Sequence, residues 1–513
     1  MMHSSNKRIA INTIYMYIRL FVTMLIGLYT SRIVLQVLGV SDYGLFSVVG
    51  GILAMFIFIS GSLATATSRF LNAEMGTRGG DLRKVFNVNI ALHILLAILI
   101  FILAETIGLW YVLHKLAVED GKLTDAIFVY QVAIVTACLG IVNTPYQSLF
   151  SAYEKFKFLM QVDILNNLLR LACVVALQFY QGEYALRLYG CIMCLTTVNT
   201  FAIYHWLASR YWPEVIRFKL VYGWRHYRDI LHFGNWNLLA TASFMARSSG
   251  SDLLINSFFG TTMNGAFAIS RTVNQFVSQF SSNFDAASAP QIIQSYAAAE
   301  KERYTYLVNK MGRFCLLLFE AVFFPLYIEL EYLLQLWLGE VPEGALIFTQ
   351  LNLIVAGVSM TCGGLSQLIN AYGRVKWFKI EFSIFFMACL PIGYLLFMWG
   401  YPAYTILVCF VVADLVQRIV QLILLRILVR FDSALYVKEA YVRPFIIAVI
   451  MSFAMFGYSF LNIENDGYRI IAILMCALIT MLLIIIIGLS SSERSRLFNS
   501  IKAYCHQHQY DFI

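Results

Sequence analysis

Long apolar stretches separated by short polar breaks run from one end of the chain to the other. A helix crossing a bilayer needs about 20 mostly apolar residues. Fourteen stretches have that length, at about 12–35, 44–67, 86–113, 126–149, 159–180, 186–208, 230–259, 264–289, 307–338, 346–371, 377–399, 403–429, 444–462 and 468–489. The longest outside loop, about 114–125, has only about a dozen residues, and the inside loops are short as well. No soluble segment is large enough to fold alone, so function has to lie within a helical bundle. The expected class is an all-α polytopic membrane protein with fourteen transmembrane helices.

Composition agrees with this pattern. Of 513 residues, 60% are hydrophobic and 13% charged, where soluble domains carry roughly a quarter charged residues. Lys7-Arg8 before the first span resembles the start of a signal peptide. The apolar stretch that follows is too long for one and has no small-x-small cleavage site, which predicts a retained helix. Charge then sets orientation. With the N-terminus inside, 26 of the 37 lysines and arginines fall in inside loops and four in outside loops. That asymmetry predicts an N-in, C-in topology. The net charge of +8 is therefore mostly a topology signal and does not point to nucleic acid, which needs a basic face on a soluble module. The ten cysteines are scattered, and Cys191-x-x-Cys194 has no partner pair, so no metal or redox site is expected. His506-x-His508 lies in the polar tail and reads as incidental. Trp110, Trp206, Trp212, Trp224, Trp337, Trp377 and Trp399 lie near span ends and read as interface anchors.

The sequence also repeats. Val34–Gly76 aligns with Ile255–Ala297 at a shift of 221. Gly39, Gly44 and Phe46 then fall on Gly260, Gly265 and Phe267. A second match, at a shift of 219, sets Leu149, Ala152, Tyr153 and Lys157 over Leu368, Ala371, Tyr372 and Lys376. Two parallel six-helix repeats are expected, spans 1–6 and 7–12, around a central cavity. The expected organisation is an N-terminal lobe over 1–208, a cytoplasmic linker over 209–229, a C-terminal lobe over 230–429, two further spans over 430–489 and a cytoplasmic tail over 490–513. Gly39 and Gly260 are expected to close helices in left-handed geometry.

At these residues the chain resembles a known family. Ser31-Arg32-Ile33-Val34-Leu35-Gln36-Val37-Leu38-Gly39 followed by Asp42-Tyr43-Gly44 is similar to the first turn of the polysaccharide (Wzx-type) flippases. These belong to the multidrug/oligosaccharidyl-lipid/polysaccharide (MOP) exporter superfamily. Asn264-Gly265-Ala266-Phe267 resembles the same turn in the second half. The Ala-Tyr hairpins after spans 4 and 10 fit as well. The resemblance implies a two-lobe transporter of the bacterial inner membrane. It would flip undecaprenyl-diphosphate-linked oligosaccharide from the inner to the outer leaflet by alternating access, through a cationic cavity. Its partners would be that lipid-linked oligosaccharide, membrane lipids and other polysaccharide-assembly proteins. No cofactor is implied beyond H+ or Na+ coupling.

The embedded charges are the candidate chemistry. Arg19, Arg32, Arg170, Arg247, Arg271, Arg313 and Arg418 sit inside apolar stretches. A guanidinium at membrane depth costs roughly 2.5–3.5 kcal/mol on insertion scales, so each needs a counter-charge, water or an anionic ligand. A diphosphate suits arginine, whose planar fork bonds phosphate oxygens in pairs. Arg19, Arg247 and Arg271 are the leading candidates for headgroup contact, with Arg170 and Arg32 next; helices 1, 2, 7 and 8 are expected to line the cavity. Arg32 can equally snorkel outward. Arg313 is expected to snorkel at the inner end of its span, and Arg418 to pair with Asp414 four residues before it. The competing reading for Arg247 and Arg271 is static pairing with acids such as Asp252 or Asp285. Those two acids are also the candidates for ion coupling. Amides and hydroxyls crowd spans 7 and 8, fitting either a wet face or interhelical hydrogen bonds. A cation-coupled drug antiporter of the same superfamily is the second reading, although several arginines would repel its substrates. A membrane glycosyl transferase is the third, but it would need a large outside loop bearing catalytic acids.

Overall fold

The structure is a computed structural model that describes residues 2–495 apart from 78, 115–121, 181, 183, 339–340 and 462–464. Within helices it leaves undescribed the side chains of 2–10, 13, 28, 31–32, 35, 39–41, 43–45, 47–58, 256, 261–262 and 264. Among the described residues all regular structure is helical. The chain forms two compact units. The first comprises Met1–Ala242, Ala289–Lys301 and Asn370–Lys379, and the second Ser243–Ser288, Glu302–Ile369 and Ile380–Ile513.

We number the principal helices α1 (Met2–Gly76), α2 (Leu82–His114), α3 (Leu123–Ala152), α4 (Phe156–Leu177), α5 (Ala185–Tyr211) and α6 (Trp224–Ala297). They continue as α7 (Lys301–Ile328), α8 (Leu330–Leu338), α9 (Ala345–Met360), α10 (Leu365–Tyr372), α11 (Lys376–Met398), α12 (Thr405–Val429), α13 (Ser433–Tyr458) and α14 (Asp466–Gly488). Among the described residues nine are long and apolar enough to cross a membrane, and ten if α9 and α10 count as one bent span. α1 and α6 each cover two expected spans.

Neither of these two long helices is straight. Tyr15 and Met16 pack against the buried cluster that holds Leu71. A straight helix would hold those positions about 84 Å apart at about 1.5 Å per residue, so the chain reverses within α1. The Gly39–Gly44 turn expected there falls among residues whose side chains are not described. In α6 the break is explicit. Gly260 has φ 81° and ψ −178°, a positive φ joined to an extended ψ that is essentially open to Gly alone. The expectation of a Gly-specific helix end holds there, but the geometry is this extended one and not the αL cap.

The first unit has two aromatic-rich cores, and they collect opposite ends of the same helices. One joins Ile33, Val34, Tyr130, Val174 and Tyr189; the other joins Leu71, Phe86, Phe150, Phe156 and Tyr204. Such sorting follows when successive helices run in opposite directions. Trp212, expected as an interface anchor, instead stacks on Tyr153 at 4.2 Å against the second core. The other six expected anchors are exposed. A π-turn at Ala104–Gly108 interrupts α2. The Tyr130 hydroxyl donates to the Ala104 carbonyl there at 2.7 Å, supplying a donor where the ladder is interrupted.

In the second unit two expected spans are broken. The ninth divides into α7 and α8, and the tenth into α9 and α10, which meet at 47°. Gly364 turns the chain at φ +72°, with its Cα region against the Val308 backbone. The break exposes carbonyls inside the bundle, and α13 supplies donors for them. The Tyr436 hydroxyl lies 2.8 Å from the Gly363 carbonyl and 3.1 Å from that of Thr361, and Tyr441 donates to Thr361 at 2.7 Å. Gly312 makes room for the Tyr436 ring, since a Cβ there would fall 2.4 Å from its hydroxyl. Two predictions follow. Tyr436→Phe, which leaves buried carbonyls with one donor fewer, should lower stability by about 1–3 kcal/mol in thermal unfolding of the detergent-solubilised protein. Gly260→Ala, with open space around the added methyl but a forbidden backbone, should cost about 1–3 kcal/mol in the same measurement.

Candidate functional site

The second unit contains a cavity of about 790 Å³ lined by Arg247, Ser248, Phe267, Arg271, Asn274, Gln275, Ser278, Gln279, Ser282, Asn352, Phe386 and Phe410, among others. Its polar wall is the amide and hydroxyl stripe of α6 after Gly260. Part of that stripe is spent on neighbouring helices. Asn274 donates to the carbonyl and side chain of Asn352 at 2.7 and 2.9 Å, and Ser281 donates to the Cys315 carbonyl at 2.9 Å. Gln275 and Gln279 are left to face the cavity.

The two arginines of this cavity are held very differently. Arg247 is 7% exposed. Its fork meets both oxygens of Asp414 at 2.5 and 3.1 Å, and its guanidinium lies 4.0 Å from the ring centres of Phe386 and Phe410. A bidentate carboxylate and two aromatic faces together occupy that charge. Arg271 is more open, with 36% of its side chain accessible. It donates to Asp252 at 2.8 Å and to Ser248 at 3.0 Å, while its Nε and the Asp252 Oδ1 have no hydrogen-bond partner. The accessible part of the Arg271 guanidinium can therefore donate to a further anionic oxygen without unmaking a buried pair, and Arg247 cannot.

These pairings correct several expectations. Asp414 serves Arg247, so Arg418 does not pair with it. Arg418 instead donates to Thr361 Oγ1 at 2.9 Å and to Gln421 Oε1. No carboxylate meets it among the described residues, but Thr361 caps the carbonyl end of α9, where the helix dipole is negative. Asp252 pairs with Arg271 and not with Arg247. Asp285 meets no arginine among the described residues; it accepts from the Gly364 backbone N–H at 2.8 Å and from Gln367 at 2.9 Å. It thus sits at the positive end of α10, and the two half-helices of the broken span face opposite charges. Arg313, expected to snorkel at the inner end of its span, is tied to Glu493 through both carboxylate oxygens at 2.7 Å.

A smaller polar pocket of about 220 Å³ surrounds Asp285, with Ser281, Ser366, Cys362 and Gln367 in its lining. It shares Ser282 and Ser359 with the larger cavity, so the buried carboxylate adjoins the space that Arg271 faces. Two other buried acids are not among the lining of either cavity: Glu381 accepts from Gln417 at 2.9 Å, and Glu320 Oε2 has no hydrogen-bond partner among the described residues. In the first unit Arg19 pairs with Asp163, and Arg170 is half-buried with no ion pair among the described residues. The side chain of Arg32 lies outside the described residues, as does His506-x-His508. No group of three metal-ligating side chains occurs among the described residues. Sequence reasoning missed Phe386, Phe410 and Asn352, which carry no charge to single them out. It also missed the break at Gly363-Gly364, although a Gly pair inside an apolar run signals a discontinuous helix.

The comparisons with known proteins now bear on this arrangement. Residues 33–341 match the model of a family described as polysaccharide biosynthesis proteins. The chain belongs to that family. Its fold is that of the MOP-superfamily transporters. A crystal structure of a MATE mutant matches with a TM-score of 0.70 at 16% identity, over 84% of this chain and 97% of that one. The outward-facing conformation of a multidrug resistance MATE family transporter of the MOP superfamily matches at 0.67 and 15%, over 81% and 94%. A MOP superfamily transporter from Pyrococcus furiosus, described as having a binding pocket of reverse polarity, matches at 0.63 and 15%, over 81% and 94%. No curated protein matches the sequence. The chain is a multi-pass membrane protein of this family.

The pairing makes a prediction. Asp414→Ala should destabilise by about 3–5 kcal/mol, because it strands a buried guanidinium. Pairing it with Arg247→Met should restore much of the loss, while Arg271→Gln should leave stability nearly unchanged. Thermal unfolding of the purified variants checks all three.

Proposed function

We propose that the chain flips undecaprenyl-diphosphate-linked oligosaccharide from the inner to the outer leaflet of the bacterial inner membrane by alternating access, for cell-surface polysaccharide such as O-antigen. The observation that carries this reading is Arg271: a half-open guanidinium in a cavity walled by amides and hydroxyls. A diphosphate offers the charge and acceptors that this group lacks, and amides suit sugar hydroxyls. Family membership supports the same substrate class. Arg19 and Arg170 are the corresponding cationic candidates of the first unit and Arg32 a further one, with Arg247 acting as the fixed charge behind Arg271. A cation-coupled drug or metabolite antiporter is the other reading; a cationic cavity weighs against it.

Coupling follows from charge exchange. A phosphate drawn onto Arg271 competes with Asp252, and a proton or sodium ion on Asp252 releases Arg271. By linkage, each ligand then strengthens the other's binding. Asp285, in the adjoining pocket, is the second candidate for the coupling ion.

Two experiments test this. A deletion strain should accumulate lipid-linked glycan on the inner leaflet; loss of cationic-drug tolerance without such accumulation would favour the antiporter. Arg271→Ala should abolish flipping at normal protein abundance, and Asp252→Asn should retain lipid-linked glycan binding but lose its dependence on the ion gradient. Full transport by Arg271→Ala would sink the cavity assignment.

A further inference from the structure

A second pocket, of about 500 Å³, lies in the second unit at the N-terminal part of α7, the start of α13 and the segment after α14. Four cations line it, Lys310, Arg313, Lys438 and Arg443, against two carboxylates, Glu439 and Glu493. The carboxylates are already engaged. Glu493 takes Arg313 at 2.7 Å and Lys310 at 3.5 Å, and Glu439 accepts from Asn309 at 3.0 Å. Burial pushes the Glu493 carboxyl up, but the Ser490 backbone N–H and the Arg313 and Lys310 charges together hold it below its ordinary value. It stays ionised and committed to those two cations at neutral pH.

Lys438 and Arg443 then have no ion pair among the described residues. Arg443 Nη1 and Arg313 Nε are buried without any hydrogen-bond partner. A buried guanidinium N–H without an acceptor is costly, and the two arginines concerned, on different helices, both line this pocket. The two oxygens of Glu493 are already engaged, whereas a phosphate brings further anionic oxygens in a tetrahedral array that can meet donors from several directions. Val442 lines the pocket, and Phe445, outside the lining and three residues further along α13, is 69% exposed. The positive-inside rule places these helix ends at the cytoplasmic face, where basic pockets between helices meet anionic headgroups.

We propose that this pocket binds the phosphate of an anionic phospholipid of the inner leaflet, with Arg443 and Lys438 as its principal ligands. The site is distinct from the Arg271 cavity and stands independently of the substrate proposed there. It would fasten α13 and the segment after α14 to the headgroup layer.

Native mass spectrometry of the full-length protein in a neutral detergent tests this, with dioleoylphosphatidylglycerol, dioleoylphosphatidylcholine and sodium phosphate as probes. Phosphatidylglycerol should be retained over phosphatidylcholine. Lys438→Gln with Arg443→Gln should weaken that retention about tenfold, and Arg443→Lys should fall between, since it keeps the charge but loses the fork. If the double variant does not fold, the exposed Lys438→Gln alone is read and should still show a drop. Inorganic phosphate that displaces phosphatidylglycerol at matching concentration would support the phosphate chemistry but move the source from lipid to free anion. Equal retention by wild type and variants, or no binding of either probe, would overturn the proposal.

Discussion

Charge inside hydrocarbon has to meet an opposite charge, a dipole or water, and much of the second unit is arranged around that demand. Arg247 takes both oxygens of Asp414 between two phenyl rings. With Asp414 used, Arg418 is left to neutral oxygens and the carbonyl end of α9. Asp252 is left to Arg271, and that pair is the one that remains half open to a cavity. One fixed pair thus decides which charge is free to exchange partners. A transporter needs both kinds: a buried pair to hold the frame, and an accessible one whose partner can be replaced by ligand.

The break between α9 and α10 extends the same logic to the backbone. Breaking a helix at depth leaves carbonyls and N–H groups that the bilayer cannot satisfy. Here Tyr436 and Tyr441 cover the carbonyls, and Asp285 covers the Gly364 N–H. The tyrosines come from α13, which follows the twelve spans that the sequence repeat predicts. The added C-terminal helices therefore support the discontinuity beside which Asp285 sits, in addition to lengthening the bundle.

Much of the fold was legible in the sequence because its signals are local. The length of apolar runs, the placement of Lys and Arg and the Gly-led turns each depend on a short window of chain meeting a bilayer. The all-helical class and the apolar helices came from those windows, as did the glycine-specific kink at Gly260. Spacing also suggested Arg418 with Asp414, four residues apart on one helix, and there it failed. Asp414 turns to Arg247, 167 positions earlier, because a carboxylate at depth is worth most to the guanidinium it can meet with both oxygens in a dry, aromatic-walled space.

The sequence by itself determined that this chain lives in a membrane, roughly where it crosses, and that several arginines had to be explained. Tertiary structure alone decided which arginine is spent on structure and which faces a cavity, where α9 stops and α10 starts, and that Arg313 is clamped by Glu493. The division is physical. Hydrophobicity and backbone preference act residue by residue along the chain, whereas the worth of a buried charge depends on partners that only folding brings within bonding distance.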